Sequence, residues 1–250
     1  MADAIASTLI DTTTALATLV DKLIALPKGS TTTAPHLYVD LEGTNLSRYG
    51  KVSILELLVS AQNHVYLIDI HTLGPLAFST SGTCGKTFKD VLESTDITNA
   101  FWDVRNDSDA LFAHYGVSVA GVHDVQLMEL ATRNYSRKFV LGLGKAIQQD
   151  ISAPHATKQL WNTIKDEGVR LFAPEQGGSH DVFNERPSRE EILKYRVQDV
   201  VLLPRLWHRY QRKLTPSWAA KVNVATEERV RESQSAKYQP NGKGKALGPW

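Results

Sequence analysis

Three apolar runs crowd residues 36–70: `HLYVDLEG`, `VSILELLVS` and `HVYLIDI`. Each has the length of a strand, and the turn-like `AQN` separates the second from the third. They read as an antiparallel meander. Helix and strand patterns then alternate. `GKTFKDVLES` reads as a helix, `NAFWDV` as a short strand, `RNDSDALFAHYG` as a helix stopping at Gly116, `SVAGVHDV` as a fifth strand and `QLMELATRNYS` as a helix. `FVLGLGKAIQQDI` and `ATKQLWNTIKDEG` are further helical segments. The glycine- and proline-rich `RLFAPEQGGSHDVFNERP` is a loop, followed by a long helix, `SREEILKYRVQDVVLLPRLWHRYQRKL`. Ser188 opens that helix, with Glu191 three residues on as a capping box, and Pro204 is placed to kink it. The pattern predicts an α/β fold, a mixed five-stranded sheet flanked by helices.

A length of 250 residues suits one domain with extensions. Residues 1–34 read as an N-terminal amphipathic helix and linker, with Leu16, Leu19, Leu23 and Leu26 at helical spacing. Asp3, Asp11 and Asp21 interrupt that segment, which argues against a signal peptide, and no apolar stretch suits a membrane span. The domain proper is expected over 35–212. Residues 213–250 read as an extension or tail ending in the acid-free `KYQPNGKGKALGPW`. The helix and the tail are candidate docking surfaces for a protein partner. A net charge of +1 provides no bulk attraction for a polyanion, so such a partner must be met by local basic patches or metal ions. The one cysteine, Cys84, excludes an internal disulfide and a cysteine zinc site; a cytoplasmic or nuclear setting is expected.

Three acidic motifs need an explanation. Asp40 and Glu42 are i and i+2 on a strand, so both project from one face. Two such carboxylates suit a hard divalent cation, or else one is solvated on an edge strand. In `FWDVRNDSDALF`, Asp103, Asp107 and Asp109 bracket a helix start, where capping accounts for at least one acid but not for three. In `ILKYRVQDVVLL`, Tyr195 and Asp199 are i and i+4 and share a helix face. Alone, these are a packing tyrosine and a surface acid, although the `VVLL` that follows points to a buried helix.

In this order the three motifs resemble the DEDD 3′–5′ exonucleases of the tyrosine subtype, which include ribonuclease D. `FWDVRNDSDAL` resembles the family's second motif, with Asp107 as its acid. `GVHDVQLMELA`, with Asp124, and `NERPSREEILKYRVQDVVLLPRLW` resemble later segments. The resemblance spans residues 35–212 and is nearest the Egalitarian-like branch, in wording that suggests a fungal member. The histidine subtype would place its base at Lys194; the tyrosine subtype places Tyr195 where it stands.

The resemblance implies a ribonuclease H-like sheet and metal-dependent hydrolysis from the 3′ end of single-stranded nucleic acid, RNA favoured over DNA. Asp40, Glu42, Asp107 and Asp199 would hold two divalent cations, Mg²⁺ or Mn²⁺, with Tyr195 orienting the attacking water. Gly43 and Leu46 would hold the terminal nucleotide. Asp103 stands where relatives often have Asn, and a carboxylate there repels a phosphate unless it is protonated or metal-linked. Arg133, Arg137, Lys138 and Lys145, the trio Arg205, Arg209 and Arg212, and Lys165, Arg170, Arg186 and the `QGG` loop are either solvated surface or guides for the strand. The rival expectation is a catalytically silent nucleic-acid-binding or adaptor module on the same fold.

Overall fold

The computed structural model describes residues 5–27, 34–152 and 155–250. Its sheet has six strands, one more than the sequence pattern predicts. The meander forms as expected from β2 (Leu37–Glu42), β3 (Ile54–Val59) and β4 (His64–Ile68), paired antiparallel in succession. The added strand is β1 (Ala6–Ile10), within the segment expected to be helical. It runs parallel to β4, from Ala6 opposite His64 to Ile10 opposite Ile68. It covers a sheet edge that would otherwise expose unpaired backbone groups. The helical spacing is satisfied one step later, in α1 (Thr13–Ile24), whose N-cap Thr12 accepts a hydrogen bond from the Ala15 amide. Leu26 is buried, but beyond the helix.

On the other side of β2 lie β5 (Asn99–Phe101) and β6 (Val122–Asp124), both parallel to it, in the spatial order β1-β4-β3-β2-β5-β6. Helices cover both faces. Short α2 (Ile70–Leu73), α3 (Leu76–Ser79) and α4 (Phe88–Leu92) follow the meander, and α5 (Arg105–Tyr115) follows β5. After β6 come α6 (Val125–Thr132), α7 (Leu143–Asp150), α8 (His155–Phe172), α9 (Glu190–Val201), α10 (Leu203–Gln211) and α11 (Pro216–Ser233). Among the described residues, no helix is long and apolar enough to cross a membrane.

Three local expectations change. The long helix of 188–214 is two helices: the break at Leu202 sets Pro204 in the first turn of α10, where its missing N–H costs nothing. Ser188 is not a cap; its hydroxyl donates to the Glu185 carbonyl, and α9 begins after Arg189 without a side-chain cap. The 213–250 segment opens with an 18-residue helix, α11, which packs on α5, α6 and β6. Thr215 as its N-cap and Pro216 in its first turn were the available sequence signals.

The strands explain the two layers. Leu37, Val39 and Leu41 of β2 and Leu55, Leu57 and Val59 of β3 enter the core under α1, α4 and α5. The opposite face carries Tyr38 from β2 and Ile54 and Leu58 from β3, under α6 to α11. Asp40 and Glu42 continue the Tyr38 row toward the carboxyl end of β2. They therefore face α9, not solvent at an edge; β2 is flanked by β3 and β5.

Candidate active site

Two neighbouring rows place acid on this face. Tyr38, Asp40 and Glu42 of β2 lie opposite Leu58, Glu56 and Ile54 of β3. α9 crosses above them and contributes Tyr195 and Asp199, which are 4% and 3% exposed. Carboxylate oxygens of Asp40, Glu42 and Asp199 all lie within 4.8 Å of one another. Asp107 occupies the first turn of α5, buried beside this trio. It is not part of the close cluster, but its charge acts on Asp40.

Like charges in a poorly solvated place hold protons tightly. Burial, then the charges of Asp107, Asp199 and Glu42, push Asp40 well above the usual carboxylate range. Burial and then Asp199 push Glu42 up to about 7, while a hydrogen bond with Tyr195 pulls the other way. Burial and then Asp103 raise Asp107, with Lys245 opposing. Burial, then Glu42 and Asp199, raise the Tyr195 phenol, so it stays protonated at neutral pH. An all-oxygen, acid-rich donor set of this kind fits a hard divalent cation.

Part of the charge is met by the protein. Lys165 of α8 donates to both Asp199 oxygens at 2.7 Å and to the Tyr195 hydroxyl at 2.9 Å. Burial works against its charge, but Asp199 and Glu42 outweigh that and keep its pKa above the ordinary value. Its approach depends on Gly168, one turn along α8. A Cβ on Gly168 would stand 2.4 Å from Tyr195 Cδ2 and 2.7 Å from Tyr195 Cβ. In sequence Lys165 is one of several candidate strand guides, and Gly168 carries no signal of its own.

Glu56 belongs to none of the three acidic motifs. It sits inside an apolar run, fully buried opposite Asp40, and neither carboxylate oxygen has a hydrogen-bond partner among the described residues. Burial and then Asp40 raise its pKa well above the usual range, and Arg196, also fully buried, opposes them. Its signal was a lone acid in a strand with no polar alternation.

The other expected site residues are placed as follows. Gly43 is buried, and a Cβ there would meet the Lys51 carbonyl oxygen at 1.9 Å. Glycine therefore lets the 44–51 loop close on its own backbone; the space at Gly43 is filled by that chain. Leu46 packs against the core under α1, α4 and α5. Asp103, at φ 65°, is neither protonated nor in need of a metal. Burial opposes its charge, but the Arg105 fork at 2.6 and 2.7 Å and Arg229 at 3.5 Å hold its pKa below the usual value. Asp109, almost fully buried, accepts from the Arg48 guanidinium at 2.6 Å and the Arg48 amide at 2.8 Å, pinning the 44–51 loop to α5. None of the three acids caps α5, whose N-cap is Val104. Asp124 caps α6 and takes a 2.7 Å ion pair from Arg229.

Half of the expected basic guides are occupied, Lys165 among them. Arg133 is buried in a fork with Glu129, Arg137 bonds backbone carbonyls of 130–133, and Arg209 pairs with Asp150. Arg186 forks onto Asp69 and holds the 170–187 loop, in which Gly178 lies against the Leu171 backbone. Lys138, Lys145, Arg170, Arg205 and Arg212 are exposed.

Known proteins resemble the chain in sequence and in fold. Residues 7–215 match a family model described as 3′-5′ exonuclease. The chain is 34% identical over 94 residues to piRNA biogenesis protein EXD1 of Mus musculus, a match spanning 38% of this chain and 15% of that protein. Its structure is similar to ribonuclease D of Trypanosoma brucei in complex with GMP, with a TM-score of 0.77 at 20% identity, covering 98% of this chain and 69% of the other. The same ribonuclease D in complex with RNA U12 matches with a TM-score of 0.69 at 21% identity, over 92% and 71%.

Proposed function

The chain belongs to the 3′-5′ exonuclease family, and on that footing we propose that it is an active, metal-dependent exonuclease that shortens single-stranded nucleic acid, RNA in preference to DNA, from its 3′ end. The observation that carries the reading is the convergence of Asp40, Glu42 and Asp199 within 4.8 Å under the Tyr195 hydroxyl. So costly a cluster, kept intact, argues against a silent module. Asp40, Glu42, Asp107 and Asp199 would hold two Mg²⁺ or Mn²⁺ ions. Such ions would supply charge neutralisation at the scissile phosphate and would let a water give up a proton more easily and so attack.

The protein's own groups do the positioning. Tyr195, kept a phenol by burial, orients the attacking water and does not act as the base. Lys165 fixes Tyr195 and Asp199 relative to each other through its three bonds. The Arg48–Asp109 pair holds the 44–51 loop beside β2; with Gly43 closed by that loop, a contact to the terminal nucleotide would fall to the part of Leu46 that the core leaves uncovered. The RNA preference draws on the T. brucei ribonuclease D complexed with RNA U12. The tyrosine subtype and a cytoplasmic or nuclear setting belong to the same proposal.

The test is digestion of 3′- and 5′-labelled single strands of RNA and DNA with Mg²⁺ or Mn²⁺, with EDTA and Asp199→Ala as controls. Stepwise, metal-dependent loss of the 3′ label in the wild type alone is expected. No shortening of any strand would leave the adaptor reading in its place.

A further inference from the structure

Beyond α11 the chain turns back to the start of α5. Its last 18 residues, 233–250, contain Lys237, Lys243 and Lys245 and no acid. This strap first fastens the 44–51 loop: the Arg48 guanidinium donates to the carbonyls of Ser233 at 2.7 Å and Ser235 at 2.8 Å. It then meets the start of α5. The Tyr238 hydroxyl donates to Asn106 Oδ1 at 2.8 Å, and Arg105 donates to the Lys245 carbonyl at 2.9 Å. Further on it joins residues 138–140, with the Val140 amide on the Ala246 carbonyl at 3.0 Å and the Gly248 amide on the Lys138 carbonyl at 2.9 Å. Trp250 ends it against Trp218, ring centres 5.2 Å apart.

The path delivers one charge to the candidate site. Lys245 Nζ bonds Asn106 Oδ1 at 2.6 Å, next to Asp107 in sequence, and its charge acts on Asp107. An ammonium has three donors, and Lys245 remains partly exposed. Of the carboxylates whose charge reaches it, Asp103 is already forked by Arg105, and Asp107 forms no ion pair with it among the described residues. Lys245 thus lies on the Asp107 side of the acid cluster, opposite in role to Lys165, which is committed to Asp199.

Resting on the exonuclease reading, we propose that Lys245 is a substrate-binding residue: the strap holds its ammonium at the start of α5 to contact a backbone phosphate of the single strand entering the site. The strap is then one wall of the strand's track, and its grip on Arg48 ties that wall to the 3′-end loop.

A phosphate contact has a signature that a structural lysine lacks. It releases counterions, so its loss lowers the slope of log K against log salt by about 0.7 for a single strand, alike for every sequence. Wild type, Lys245→Met, Lys245→Arg and the exposed Lys243→Met are titrated by anisotropy with fluorescein-labelled single-stranded phosphorothioate RNAs of two sequences, over a KCl series with Mg²⁺. Thermal melts accompany each variant. Lys245→Met should bind both RNAs about tenfold more weakly with the slope reduced by about 0.7. Lys245→Arg should restore the slope, and Lys243→Met should leave it unchanged. An unaltered slope in Lys245→Met, whether or not its melting point drops, overturns the assignment. Failure of the wild type to bind RNA overturns it together with the parent reading. Wild type that binds RNA and shortens none defeats the exonuclease reading alone, because the slope still reports on Lys245.

Discussion

Replacing Gly168 by alanine adds one methyl group at the contact on which the site geometry depends. The new Cβ would lie 2.4, 2.6 and 2.7 Å from Cδ2, Cγ and Cβ of Tyr195. Carbon atoms settle at about 3.5–4.0 Å, so α8 and α9 must part by about 1 Å. The Tyr195 ring cannot simply rotate away, because its own Cβ is among the atoms struck. Overpacking of this kind costs about 1–3 kcal/mol, and the better helix propensity of alanine returns about 1 kcal/mol. The net loss of stability is therefore small, about 0–2 kcal/mol by the same figures. Activity should suffer more. Lys165 lies on the same face of α8, and its 2.7–2.9 Å bonds to Asp199 and Tyr195 do not survive a 1 Å shift. A misplacement of that size costs on the order of 100-fold in rate. Urea melts and initial rates on a 3′-labelled RNA strand test both halves. Wild-type turnover in a variant of equal or greater stability would refute the reasoning, since it would mean that the α8–α9 spacing does not position Tyr195.

Other expectations follow from the same groups. Tyr195→Phe should slow turnover by about 10–100-fold while leaving the Mn²⁺ affinity, read by calorimetry, unchanged; a weakened affinity would make Tyr195 part of the ion site. Glu42 titrates near 7 in the fold against 4.5 for the free side chain. Between pH 4.5 and 7 the folded form thus holds a proton that the unfolded chain has lost, and stability without divalent ions declines across that window. The affinity for Mn²⁺ rises across it, because the ion displaces that proton. Melting in EDTA at pH 5 and pH 7, beside Mn²⁺ titrations at both, should show these opposite trends. Arg229→Met leaves Asp124, fully buried, without its ion pair and should cost about 3–5 kcal/mol in a denaturant melt. A loss under 1 kcal/mol would show that the cap on α6 suffices for Asp124.

The acids were legible because local geometry dictates them. Asp40 and Glu42 share a face by the two-residue period of a strand, and Tyr195 and Asp199 by one helical turn. The meander was legible for the same reason. Elsewhere the deciding partner is remote. Lys165 reaches Tyr195 across 30 residues and Arg229 reaches Asp124 across 105. Gly168 looks like an ordinary helix weakness until α9 is laid against it. Asp103, a substrate-binding candidate whose charge asked for a proton or a metal, has the Arg105 fork instead, on a left-handed backbone that the sequence does not announce.

The N-terminal strand shows the same division. Sequence alone determined that Leu16, Leu19 and Leu23 lie on the apolar face of a helix, though not where that helix begins, since periodicity belongs to each segment's own covalent geometry. Only the tertiary structure decided that Ala6–Ile10 pairs with β4, that Glu56 sits opposite Asp40 and that Lys245 returns to the start of α5. Those choices compare one packing with another, and the free energy that selects among them resides in contacts between segments that are far apart along the chain.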